Sequence, residues 1–119
     1  MRDFKELKVW QKAHSSVVDI YRHTRDFPPE ERYGLTGHLR RSALSVPSNI
    51  AEGCGRSSDR ELARFLSIAA GSASETEYQL LLALDLGYLQ PQPYRQLDAQ
   101  VNEVKRMLNT FIQKLTAKS

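Results

Sequence analysis

The sequence has only one cysteine, Cys54, among its 119 residues. A single cysteine cannot form a disulfide within the chain, which excludes a disulfide-stabilised secreted domain and favours a reducing compartment. Long apolar runs are also missing, because no stretch approaches the roughly 18 residues that cross a bilayer. The charged first residues, Met1 to Glu6, lack the apolar stretch of a signal peptide. We therefore expect a cytoplasmic protein without a membrane segment.

Neither charge nor composition is extreme. The chain has 17 basic and 14 acidic residues, a net charge of +3, which favours a nucleic-acid partner only slightly. Hydrophobic residues make up 40% and charged residues 26%, as is usual for globular proteins. A chain of this length can bury a core without metals or disulfides, and we predict one domain over residues 1–119.

Proline and glycine divide the chain into four segments of helical length, with junctions near Pro28, Gly55 and Gly87. Within each segment, apolar residues recur at alternating steps of three and four, the spacing of a helix that buries one face. The predicted helices span about 7–25, 31–53, 59–86, and from Pro91 or Pro93 to 117. A period near 3.5 residues and short connections predict an all-α, antiparallel, up-down four-helix bundle.

Three local signals refine these boundaries. Ser58 and Glu61 have the spacing of a capping box, and Gly87 is placed to end the third helix in the left-handed conformation. Pro47 interrupts the second helix and predicts a kink. Ser48 or Asn49 could then donate to the carbonyls that this proline leaves unbonded.

The third predicted helix has more apolar surface than one buried seam requires. Its middle, residues 69–74, consists of small residues that would let another helix approach closely. The surplus can be wrapped by the bundle itself or can mark a contact between copies of the chain, and we favour a homo-oligomer. The residues outside the seam are Phe65, Ile68, Leu81, Leu82 and Leu84.

The sequence contains no arrangement of residues typical of catalysis. None of the three histidines, His14, His23 and His38, follows an acid by three residues, the Glu-x-x-His spacing of di-iron bundles. Cys54 has no histidine near it in the sequence that could activate a thiolate. We predict no catalytic residue, no metal site and no cofactor, and hence neither an enzyme nor a small-molecule substrate.

Arginine is concentrated in the middle of the chain. Residues 32–64 contain six arginines, no lysine and three acids. The guanidinium group pairs with phosphate or carboxylate in a two-pronged geometry, so the cluster has two interpretations. It contacts nucleic-acid phosphates, or its members pair with local acids, helix ends and neighbouring subunits. The candidate nucleic-acid-binding residues are Arg40, Arg41, Arg56, Arg60 and Arg64.

The segment from Leu39 to Arg56, LRRSALSVPSNIAEGCGR, resembles the central signature of a bacterial family of four-helix-bundle proteins. This family, also described as ribosomal-protein-like, was first noticed in intervening sequences of large-subunit ribosomal RNA genes. The opening FKELKVW, Phe4 to Trp10, and the stretch from Glu61 to Leu82 are similar to the same family, so the resemblance covers nearly the whole chain.

The resemblance implies a four-helix bundle that forms a ring-shaped homo-oligomer, commonly a pentamer. A related branch is the accessory protein of diversity-generating retroelements, in which a basic pentamer associates with nucleic acid and a reverse transcriptase. Our hypothesis is therefore a non-enzymatic, homo-oligomeric accessory protein that binds RNA or DNA through its arginines. The alternative is a protein–protein scaffold with no role in nucleic-acid binding.

Overall fold

Four α-helices form the computed structural model of the protein, which describes residues 2–117. They are α1 (Lys8–His23), α2 (Leu35–Cys54), α3 (Asp59–Asp85) and α4 (Pro91–Thr116). Short 3-10 helices, Phe4–Glu6 and Pro29–Glu31, precede α1 and α2, and no strand occurs within residues 2–117. The helices contact one another in sequence order and α4 closes the bundle against α1, giving a body of 46 × 22 × 20 Å. The predicted all-α four-helix bundle is confirmed.

One face of every helix is buried in a common core. In α2 and α3, all the positions of the predicted seams are buried, among them the fully enclosed Leu39, Ile50, Leu66 and Leu80. On α1, Ala13, Val17 and Ile20 are buried as the predicted period requires, but at the start of the helix Val9 is buried and Trp10 is only half-buried. The Trp10 ring instead lies between Phe4, in an edge contact at 4.9 Å, and His14, stacked at 5.0 Å.

The second helix begins at Leu35, four residues later than predicted. Pro29–Glu31 form a separate 3-10 turn, and Gly34 at the N-terminal boundary of α2 has no side chain to cap the helix. The cap comes from Glu31, whose Oε1 accepts a hydrogen bond from the Leu35 amide at 2.9 Å. A capping acceptor three residues before the helix boundary lies outside the usual N-cap pattern, which explains the difference.

Both ends of α3 use the predicted residues. At its start, Ser58 Oγ accepts from the Glu61 amide at 3.1 Å, although the Glu61 carboxylate pairs with Arg64 rather than completing the capping box. At its end, Gly87 has φ of +79°, and the Tyr88 amide donates to the Ala83 carbonyl at 3.0 Å. This is the six-to-one hydrogen bond of a Schellman motif.

Pro47 lies inside α2, which continues through it to Cys54. The proline removes the amide that would donate to the Ala43 carbonyl. Asn49 donates from Nδ2 to the Ser45 carbonyl at 2.8 Å and to Ser45 Oγ at 2.9 Å. Asn49 is thus the one of the two predicted donors that bonds a nearby carbonyl, but its acceptor belongs to Ser45 and is not the Ala43 carbonyl that the proline leaves without an amide donor.

Candidate nucleic-acid interface

Arg40 faces α1 rather than open solvent. Its Nε donates to Oγ1 of Thr24, the residue that caps the C-terminus of α1, at 2.9 Å. Its Nη2 donates to the carbonyl of Tyr21, in the last turn of α1, at 3.2 Å. The guanidinium also lies 4.6 Å from the centre of the Tyr21 ring. A cation at a helix C-terminus satisfies carbonyls that have no intrahelical partner. Arg40 is therefore half-buried and joins α1 to α2.

Arg56 and Arg64 both lie close to one aromatic ring, that of Phe65. Their Cζ atoms are 4.9 and 4.6 Å from the centre of the Phe65 ring. Each also forms an ion pair on its own helix, Arg56 with Glu52 at 2.8 Å and Arg64 with Glu61 at 3.1 Å. The hydrogen bond from Arg64 lowers the pKa of the Glu61 carboxyl, and the same contact raises the pKa of Arg64. Both arginines remain exposed, so the remaining guanidinium donors can reach an external ligand.

Arg41 and Arg60 have the least restrained side chains of the five. Both are exposed, and neither forms an ion pair with any residue in the described range 2–117. Arg41 makes only a long contact, 3.4 Å, from Nη2 to His38 Nδ1. Arg60 lies one turn from both Arg56 and Arg64 in the sequence, at the start of α3. Four of the five predicted arginines thus face solvent, and three of them lie at the α2–α3 turn.

Of the apolar residues outside the predicted seam of α3, some are buried in the bundle and others are exposed to solvent. Phe65 is buried, and Leu82 and Leu84 are half-buried in the bundle. Ile68 and Leu81 remain exposed, together with Tyr78 and, on α2, Leu44. Gly71 lies on the same outer side of α3, and a Cβ there would meet no neighbouring atom within 4 Å. An apolar, sparsely covered surface therefore lies beside the arginines.

The side chains that could act as a nucleophile or a metal ligand, Cys54 and Asp19, make structural contacts instead. Cys54 is buried at the end of α2, and burial raises the pKa of its thiol, the opposite of an activated nucleophile. Asp19, which lies four residues before His23 on α1, pairs with Arg22 at 3.7 Å and accepts from Gln100 at 3.0 Å. Within residues 2–117 no cluster of three or more histidine, cysteine or acidic side chains could hold a metal. No helix in that range is long and apolar enough to cross a membrane.

The structure contains a second basic region that the sequence analysis did not predict. Arg2, Lys8, Arg106 and Lys114 surround an apolar cleft of about 480 Å³ between the start of α1 and the second half of α4. Arg2 and Lys8 come from the start of the chain, whereas Arg106 and Lys114 lie on α4, about a hundred positions later in the sequence. Only the antiparallel arrangement of α1 and α4 brings them together, so no run or spacing of charges indicates them.

Comparison with known proteins decides the family. The family of 23S rRNA-intervening sequence proteins matches residues 5–110, nearly the whole chain. The chain belongs to this family. The chain is also similar to a protein of unknown function of the S23 ribosomal protein family from Bacteroides thetaiotaomicron, whose crystal structure is known at 1.70 Å. The two are 25% identical with a TM-score of 0.80, and the match covers 88% of this chain and 98% of the other.

The search of curated proteins finds no match to this chain. Neither the family description nor that of the related structure names an enzyme. The resemblance found in the segment from Leu39 to Arg56 is thereby confirmed at the level of the family.

Proposed function

We propose that this protein is a non-enzymatic, homo-oligomeric accessory protein of the cytoplasm that binds RNA or DNA through phosphates. Arg41, Arg56, Arg60 and Arg64 contact the nucleic acid, and Arg40 holds α2 against α1. The observation that carries the proposal is the exposure of these four arginines on α2, α3 and the connection between them, two of them without any ion pair among residues 2–117. A guanidinium on a rigid helix binds phosphate without reading sequence.

Self-association would strengthen the binding of nucleic acid, because it brings several basic copies together. Exposed Leu44, Ile68, Tyr78 and Leu81 supply an apolar surface on the same two helices as the arginines. One copy carries +3, so a ring of five, the assembly implied by the resemblance, carries +15. Charges summed over one assembly create a stronger field for a polyanion than a single copy does. The oligomer therefore turns a weakly basic chain into a nucleic-acid-binding particle.

The test is fluorescence anisotropy of a labelled RNA hairpin and a labelled single strand, titrated with the protein at two salt concentrations. We expect a Kd of about 10⁻⁴–10⁻⁶ M that weakens with salt, the log–log slope rising by about 0.7–0.9 for each neutralised phosphate. The variant Arg41→Ala/Arg60→Ala should bind more weakly and with a smaller slope. Arg25→Ala/Arg95→Ala removes two exposed arginines elsewhere and should behave as the wild type.

The second candidate function is a protein–protein scaffold. Its support is that Arg56 and Arg64 are already paired with acids on their own helices. Absence of RNA binding at low salt, in a protein that sedimentation shows to be folded and oligomeric, would refute the nucleic-acid function and leave the scaffold. Equal losses in the two double variants would also count against the assigned arginines.

A further inference from the structure

The cleft between α1 and α4 has the composition of a docking site that the arginines of α2 and α3 do not explain. Its apolar surface comes from Leu7, Val9, Met107 and Phe111. Val9 is buried, whereas Leu7, Met107 and Phe111 are half-buried and reachable from solvent. Methionine adapts its shape to different apolar partners, which suits a binding surface.

Charge of a single sign surrounds this apolar surface. Arg2, Lys8, Arg106 and Lys114 line the cleft, and no acidic residue does. Lys8, Arg106 and Lys114 form no ion pair with residues 2–117, and Arg2 reaches Asp59 only at 3.9 Å while lying 5.5 Å from the centre of the Phe111 ring. A partner with carboxylates beside an apolar stripe would satisfy both features at once.

The start of α1 adds to the same field. Lys8 is the first residue of α1, whose first turn has no acid and whose boundary residue, Leu7, makes no side-chain cap. A helix N-terminus carries about half a positive charge on its unpaired amides. Because Leu7, Lys8 and Val9 all line the cleft, this charge lies beside the four cations.

The shape of the cleft favours a helix over a small molecule. The cations come from both walls of the cleft, Arg2 and Lys8 from the start of the chain and Arg106 and Lys114 from positions eight residues apart on α4. A single anionic head group would leave most of them unmatched. On α4 the lining extends from Arg106 to Lys114, about 12 Å at the helical rise of 1.5 Å per residue. That length accepts the apolar residues i, i+3, i+4 and i+7 of a bound helix.

We propose that this cleft binds an acidic amphipathic helix of a partner protein, with the apolar stripe of that helix on Met107 and Phe111 and its carboxylates on Arg2, Lys8, Arg106 and Lys114. The cleft shares no residue with the arginines assigned to nucleic acid, although Arg2 reaches Asp59, the neighbour of Arg60, and the proposal goes beyond that function. Together, the two surfaces would let one bundle connect a nucleic acid to a protein.

The probe is a fluorescein-labelled peptide of about 16 residues with leucines at i, i+3, i+4 and i+7 and glutamates on both sides of this stripe. A small groove places the expected Kd roughly in the micromolar range, weakening with salt. The same peptide with lysine in place of glutamate should not bind. Failure of the acidic peptide to bind, or equal binding of both peptides, overturns the proposal.

Two variants locate the binding. Arg106→Glu/Lys114→Glu changes only exposed side chains and should weaken the acidic peptide roughly tenfold or more. The control Arg25→Glu/Arg95→Glu makes the same change of charge on exposed residues outside the cleft and should leave the affinity unchanged. Met107→Glu places a charge on the apolar surface and should also abolish binding, with its melting curve checked against the wild type.

Two other occupants are outcomes of the same experiment. If a single-stranded RNA displaces the peptide and loses affinity in Arg106→Glu/Lys114→Glu, the cleft is a phosphate surface and the proposal is overturned. If Met107→Glu changes the sedimentation coefficient of the protein, the cleft is a contact between copies of the chain, and the proposal is again overturned. Because neither double variant in this test touches Arg41 or Arg60, failure here leaves the proposed nucleic-acid function intact.

Discussion

Glu31 and Tyr88 lie 57 positions apart in the chain, and the Tyr88 hydroxyl donates a hydrogen bond to Glu31 Oε2 at 3.0 Å. The other carboxylate oxygen accepts from the Leu35 amide at 2.9 Å. One side chain therefore caps α2 and also ties the α1–α2 connection to the α3–α4 connection. Tyr88 packs against the buried Phe27 at 5.6 Å, which places this polar link on the edge of the core at one end of the bundle.

Replacement of Glu31 by alanine should lower the thermal stability of the protein by several degrees, because it removes both the cap and the link at once. Tyr88→Phe removes only the second hydrogen bond and should cost less. Glu30→Ala is the matched control, since Glu30 is an exposed neighbour in the same 3-10 turn. Calorimetry of the four proteins tests this order, which an equal loss in Glu30→Ala would contradict.

The same carboxylate makes the stability depend on pH. The hydrogen bonds from Leu35 and Tyr88 lower the pKa of Glu31 below its ordinary value of 4.5. A depressed pKa contributes stability that is fully present above the unfolded-state value and is lost as the pH falls through the folded-state value. The difference in melting temperature between wild type and Glu31→Gln should therefore shrink as the pH falls from above the unfolded-state pKa through the folded-state pKa of Glu31.

The comparison with Glu31→Gln is needed because other acids also titrate. Hydrogen bonding with Lys105 lowers the pKa of Glu77, whereas burial raises the pKa of Asp98. These groups are common to both proteins and cancel in the difference. A gap in melting temperature that stays constant, or widens, as the solution is acidified would show that the charge of Glu31 does not stabilise the fold.

A buried polar chain joins α2 to α3 and gives a third prediction. Thr76 Oγ1 lies 2.8 Å from Ser42 Oγ, which in turn donates to Gln79 Oε1 at 2.7 Å, and all three residues are buried. Ser42→Ala leaves the Gln79 oxygen without its donor and should cost about 1–3 kcal/mol in chemical denaturation. Ser74→Ala, on the exposed side of α3, should leave the stability nearly unchanged.

Coupling within this chain can be measured in a double-mutant cycle. Once Ser42 is alanine, Thr76→Val removes a hydroxyl that has lost one of its two partners, so the double variant should lose less than the sum of the single variants. Strict additivity would mean that the two hydroxyls do not interact across the helices.

The fold was predictable because it depends on short-range periodicity. Leu39 and Leu80 are buried as a seam of alternating three- and four-residue steps requires, and Gly87 ends α3 as its lack of a Cβ permits. The start of α2 was missed because its cap, Glu31, belongs to a preceding 3-10 turn. Only the structure shows that this side chain turns back to the Leu35 amide.

The site was less predictable, because exposure and pairing depend on residues distant in the sequence. Arg40 and Arg41 are adjacent and chemically identical, yet one faces α1 and the other faces solvent. The partners of Arg40 are Thr24 and Tyr21, 16 and 19 positions away. The basic cleft depends in the same way on contact between the first and last helices.

This difference between two adjacent arginines gives the last prediction. Arg40→Ala removes a half-buried cation from Thr24 and from the Tyr21 carbonyl and should lower the free energy of unfolding by roughly 1–2 kcal/mol. Arg41→Ala should leave that free energy within about 0.5 kcal/mol of the wild type, because its side chain is exposed.

RNA binding should respond in the opposite order. Arg41→Ala should weaken binding of the labelled strand and reduce its salt dependence. Arg40→Ala, measured where the variant is fully folded, should bind as the wild type does. Urea denaturation and anisotropy on the same two preparations separate the effects. A loss of RNA affinity in folded Arg40→Ala would return Arg40 to the phosphate-contacting set, because a residue that only joins α1 to α2 has no reason to alter that affinity once the fold is intact.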